Sequence, residues 1–104
     1  MPEIRRTIMN SFKDAQECQM FIMILKQKWS EFNADLKDKF TVEIATDIAD
    51  PRKHTSYLTA QSVEDFKIVD EWAKKEVLPL RNRFSPKSNT FTCELEARFE
   101  FGDN

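Results

Sequence analysis

A chain of 104 residues has room for one hydrophobic core but not two, and 40% apolar with 33% charged residues is the make-up of a folded protein, not a disordered one. Its 16 basic and 18 acidic residues leave a formal charge of −2, so no overall field draws it to nucleic acid or an anionic membrane, and its one glycine leaves little material for phosphate-cradling loops. MPEIRRTIMNSF at the start has no uninterrupted apolar stretch, and no later run approaches the roughly 18 residues of a membrane span, so we expect a cytoplasmic protein with residues 1–104 as a single α+β domain.

Residues 3–12 have strand character, with Ile4, Ile8 and Phe12 on one parity and Arg6 and Asn10 interrupting it. Asp14 with Glu17 three residues on forms a capping-box-like start. A long helix over 15–39 is predicted from it, with Cys18, Phe21, Ile22, Leu25, Trp29, Phe32 and Leu36 recurring at three- and four-residue steps. Phe40, Val42, Ile44 and Ile48 then alternate with polar or small residues as a half-buried strand does. ADPRK, 49–53, reads as a turn, and HTSYLTAQ, 54–61, as a weaker strand, helped by Thr55, Tyr57 and Thr59.

Ser62 and Asp65 repeat the capping pattern and open a second helix with Phe66, Val69, Ala73 and Val77 on its stripe. Pro79 should stop or kink it, because proline removes a backbone donor, yet Leu80 and Phe84 continue the stripe. SPKSN, 85–89, reads as a loop. Phe91, Cys93, Leu95, Ala97, Phe99 and Phe101 then alternate with Thr90, Thr92, Glu94, Glu96, Arg98 and Glu100, the clearest strand of the chain, expected to bury its apolar parity.

The order strand, helix, strand, strand, helix, strand favours two helices on one face of an antiparallel sheet, as in a ferredoxin-like βαββαβ fold. A three-stranded sheet with 54–61 in a loop is the alternative. Either leaves one sheet face uncovered, and the expectation is a charged one.

Little in the sequence points to catalysis. His54, the only histidine, reads as a surface or turn residue; neighbours on a strand point to opposite faces, so Thr55 is out of its reach while Ser56 shares its side. Two cysteines and one histidine lack metal-ligand spacing, and Cys18 and Cys93 read as buried free thiols. No cofactor is implied. Glu94, Glu96 and Glu100 read as a solvated face that, if functional, binds a basic partner. Basic residues fall in scattered pairs, with Arg81, Arg83 and Lys87 the best chance of a nucleic-acid patch.

MFIMIL, residues 20–25, is informative because it divides on a helix: Phe21, Ile22 and Leu25 join the main stripe, whereas Met20, Met23 and Ile24 point away from it. Ile68 and Trp72 sit similarly off the stripe of the second helix. Methionine adapts to a partner's shape and tryptophan is enriched at binding hot spots. The preferred reading is therefore a non-enzymatic protein–protein interaction module, an inhibitor, adaptor or self-associating subunit of the compact kind that phages encode. Its partner surfaces are Met20, Met23, Ile24, Ile68 and Trp72 on the helices and Glu94, Glu96 and Glu100 on the sheet. The alternatives are a dimeric α+β-barrel enzyme or small-ligand binder, with His54, Tyr57 or the glutamates at work, and a nucleic-acid-binding ferredoxin-like domain.

Overall fold

The computed structural model describes residues 3–102; the ends of the 1–104 span, residues 1–2 and 103–104, lie outside it. Its elements are β1 (Ile4–Ser11), α1 (Ala15–Ser30), β2 (Thr41–Thr46), β3 (Lys53–Ala60), α2 (Val63–Glu76), α3 (Leu78–Phe84) and β4 (Lys87–Glu94). The strands form one sheet in the order β2-β3-β1-β4, every neighbouring pair antiparallel. This is the ferredoxin-like arrangement, and residues 53–60 are a central strand of it rather than a loop.

Helices α1 and α2 begin where their cap chemistry puts them. Asp14 accepts from the Glu17 amide at 2.8 Å and Ser62 from the Asp65 amide at 3.2 Å, each satisfying a donor that the first helical turn leaves free. Helix α1 buries Cys18, Phe21, Ile22 and Leu25, but it ends at Ser30, not near residue 39. Past that point the buried carboxylate of Asp65 on α2 accepts from the backbone amides of Lys37 (3.0 Å) and Asp38 (3.2 Å). That clasp holds the connection against α2, and Phe32, Leu36 and Phe40 still reach the core around Leu58, Phe66 and Val69 from irregular backbone. The apolar period therefore outlasts the helix that it resembles.

Pro79 divides what could have been one helix into α2 and α3, and Val77, at φ −105°, is the joint between them. Helix α3 turns toward α1, so that Leu80 and Phe84 pack with Phe12 and Phe21. Ser85, at φ 47°, ends it in the left-handed conformation common just past helix ends.

The last strand departs most from expectation. It begins at Lys87, inside the segment read as a loop, and ends at Glu94. Its register pairs Thr90 with Ile8, Thr92 with Arg6 and Glu94 with Ile4, so the polar parity lies on the helix side. Phe91 pairs with Thr7 and Cys93 with Arg5 on the opposite side. Cys93 is exposed, contrary to its reading as a buried thiol, whereas Cys18 is buried as expected. The physical reason is coverage: β4 is an edge strand whose helix-side residues also remain exposed, so no helix of this chain rewards burial of the apolar parity there.

Candidate functional site

The sheet has two unlike faces. On the face turned away from the helices, successive cross-strand rows read Ala45–Thr55–Met9–Asn89, Glu43–Tyr57–Thr7–Phe91 and Thr41–Thr59–Arg5–Cys93. A shallow depression of about 580 Å³, lined by Arg5, Thr7, Glu43, Tyr57 and Thr59 among others, lies across it. Met9, Tyr57 and Phe91 are all exposed. This face is thus partly apolar, not the charged face expected.

Beyond β4 the chain continues without regular secondary structure. The Leu95 amide donates to the Glu3 carbonyl at 2.8 Å, and Arg98 donates to the Glu3 carboxylate at 2.9 Å. Hydrogen bonding from Arg5, together with the charges of Arg98 and Arg5, holds the Glu3 carboxyl below its usual pKa. From Glu96 onward the segment belongs to no strand, and it carries Phe99 and Phe101 at 80% and 92% exposure. This arm helps to raise the radius of gyration to 14.7 Å, against about 13 Å for a compact chain of this length. The edge of β2 opposite β3 is unpaired among the described residues.

The helix side of the sheet holds a cavity of about 350 Å³. Phe21, Leu25 and Trp29 of α1, Leu58 of β3, and Val69, Ala73 and Val77 from the α2 side make its apolar walls. At its floor lie His54 and Asn10, the middle of the cross-strand row Thr46–His54–Asn10–Ser88, with Ser56 next along β3 on the same face. His54 is not a surface histidine: it is 1% exposed, with the Phe21 ring 5.4 Å away between centroids. Burial in apolar surroundings pushes its pKa down to about 4, so the ring is neutral at pH 7. Its sharing of a side with Ser56, legible from strand parity, is realised as a 2.7 Å contact from Nε2 to the serine Oγ. Sequence reasoning missed Asn10 and Ser88: Asn10 carried a signal as a polar residue on the apolar parity of its strand, whereas Ser88 falls in a segment that reads as a loop. At the rim Arg6 pairs with Asp70 and lies 4.5 Å over the Phe66 ring, while Lys74 and Arg81 also line the opening.

The residues proposed for partner binding are dispersed. Met20, Met23 and Ile68 are exposed on the helices. Ile24 is partly buried against the core, and Trp72 stacks at 4.5 Å on Trp29 and edge-on at 4.9 Å to Phe32. Glu94 ends β4 on the helix side, whereas Glu96 and Glu100 lie on the arm. The structure brings these two glutamates near Phe99 and Phe101, not onto a common face with Glu94. Arg81 and Arg83 are on α3, and Lys87 opens β4. Among the described residues no helix is long and apolar enough to cross a membrane, and no cluster of ligating side chains could hold a metal.

No protein-family model matches the chain, and no curated protein matches its sequence. Among solved structures it is similar to a dimeric ferredoxin-like protein from an uncultured marine organism, with 15% identity, 98% of this chain and 95% of that one covered, and a TM-score of 0.74. It is also similar to a conserved protein from Methanosarcina mazei Go1, with 18% identity, coverage of 92% and 95%, and a TM-score of 0.66. A third similar structure is SnoaB, a cofactor-independent oxygenase from Streptomyces nogalater, with 8% identity, coverage of 99% and 100%, and a TM-score of 0.61. At these identities the likeness establishes the ferredoxin-like fold.

Proposed function

We propose that this chain is a cytoplasmic, self-associating protein whose partner is a second copy of itself, seated on the open face of the sheet. One observation carries the reading: apolar side chains along one parity, Phe91 and Cys93 continuing to Phe99 and Phe101, are left outside their own fold. An antiparallel sheet can leave one face to water, but that face is then polar. Met9, Tyr57 and Phe91 depart from that rule, and burying them against a copy removes them from solvent.

Two further features favour a second copy over another occupant. The exposed arm alternates apolar and charged residues, which suits addition to an unpaired strand edge, and the edge of β2 offers one. The dimeric marine protein has the same fold over nearly the whole length of both chains, which supports the same assembly here. Glu94, Glu96 and Glu100 between the apolar positions disfavour a phosphate backbone on the arm.

The test is mass in solution. Sedimentation at micromolar concentration should give a two-chain species, and the double variant Phe91→Ser/Phe99→Ser should sediment as one chain with an unchanged helical circular-dichroism signal. A wild-type chain that sediments as a monomer overturns the reading. A second reading, a different protein bound through the helices as an inhibitor or adaptor would be, draws its support from exposed Met20, Met23 and Ile68.

A further inference from the structure

The cavity on the other side of the sheet is a separate matter, and its chemistry does not depend on self-association. Its walls are large apolar side chains, and protein interiors of that kind ordinarily close by packing. Here the elements around it are propped. The Trp29–Trp72 stack at 4.5 Å and the Lys28–Glu76 ion pair at 3.2 Å fix the distance between α1 and α2 at one end. The packing of Leu80 and Phe84 onto Phe12 and Phe21 fixes α3 at the other. A preformed, mainly apolar space of about 350 Å³ falls at the small end of ligand pockets.

The floor is wired in one direction. Ser88 Oγ donates to Asn10 Oδ1 at 2.5 Å, which leaves the Asn10 amide nitrogen to face His54 Nδ1 at 3.1 Å. An amide nitrogen can only donate, so Nδ1 is the acceptor and the ring proton sits on Nε2. Nε2–H then donates to Ser56 Oγ at 2.7 Å. The row ends there: among the described residues no hydrogen bond takes up the hydroxyl proton of Ser56. This wiring argues against a serine nucleophile, because a protonated Nε2 cannot accept the Ser56 proton. It makes Ser56 instead an oriented donor facing apolar walls.

Charge around the opening is positive on balance. Arg6 is neutralised by Asp70, and Lys74 meets Glu71 only in an exposed contact at 3.6 Å, whereas Arg81 has no carboxylate partner among the described residues. We propose that the cavity binds a small, flat, mostly apolar molecule bearing one anionic oxygen group, of the aryl carboxylate or phenolate class. Its rings lie against Phe21, Leu25 and Trp29, its oxygen accepts from Ser56, and Lys74 and Arg81 supply the favourable field.

The probe is 2-naphthoate, followed by titration calorimetry and by the emission of Trp29 in the cavity wall, with 2-naphthylmethylamine as the cationic control. Saturable binding of the carboxylate but not the amine is expected. Ser56→Ala should weaken it about tenfold, the value of one hydrogen bond to a charged group. Ala73→Trp, which fills the cavity from α2 without touching the row, should abolish it and serves where Ser56→Ala does not fold. No binding to the wild type, equal binding of the amine, undiminished affinity in the folded Ser56→Ala or Ala73→Trp protein, or labelling of Ser56 by a fluorophosphonate would each overturn the assignment.

Discussion

The two faces of the sheet rest on the same alternating backbone and differ in what they are matched to. On the helix side, every polar group that the sheet buries has a partner inside the chain. Asn10, His54 and Ser56 bond to one another, and among the described residues every buried side-chain nitrogen and oxygen has at least one partner, with the Ser56 hydroxyl proton left over at the end of the row. On the open side Met9, Tyr57, Phe91 and Cys93 are apolar without cover, and β4, which carries two of them, runs out into the arm. A buried polar row inside and exposed aromatics outside invert the usual assignment. The inversion teaches that a pattern of alternation records which residues travel together, and the neighbours decide which set is covered.

The contrast can be broken by substitution. Phe21→Ala removes a ring that is buried between both ends of the helix layer, and should cost about 3–5 kcal/mol in chemical denaturation. Phe91→Ser, the same kind of loss on the open face, should cost a monomer less than about 0.5 kcal/mol. Its effect should appear instead as loss of the concentration dependence of unfolding, because an obligate partner contributes to apparent stability by mass action. Equal costs on the two faces would end the distinction.

A pH titration sharpens the helix side further. His54 has a folded pKa of about 4, whereas an unfolded histidine titrates near 6.5, so the unfolded chain takes up the proton first. Stability associated with the neutral ring is therefore complete above about pH 6.5 and falls as the pH drops to about 4. The loss amounts to about 3 kcal/mol. It should appear as the difference between wild type and His54→Gln in the stability lost from pH 7 to pH 4, measured by urea denaturation. The smallest effect belongs to the helix surface: Met20→Ser and Met23→Ser should change monomer stability by no more than about 0.5 kcal/mol. A larger loss would mean that these side chains are covered by something the exposed positions do not reveal.

Much of the fold was legible because local chemistry and global arrangement agree. The two cap residues, Asp14 and Ser62, mark both helix starts, and the six-element order leads to the sheet topology. What was not legible depends on contacts distant in sequence. No property of residues 31–40 shows that Asp65 will hold the amides of Lys37 and Asp38, so the long apolar period was read as a continuous helix. Strand 53–60 looks weak because its inward parity is His54, Ser56, Leu58 and Ala60, two of them polar. Those two polar residues are also the floor of the cavity, so one feature both obscured the strand and marked the site. The MFIMIL run divides as its helical angles require, with Phe21, Ile22 and Leu25 buried and Met20 and Met23 exposed, though Ile24 turns back to the core.

The break at Pro79 has a reach beyond helix termination. Residues on both sides of it, Ala73 and Lys74 before and Leu78 and Arg81 after, border the same cavity. A ring nitrogen that carries no proton thereby sets the pitch of a roof whose tiles are other residues. The shape of the enclosed space can change through the angle at that joint while every side chain facing into it stays the same, so the size of an acceptable guest is adjustable from a position that the guest never meets.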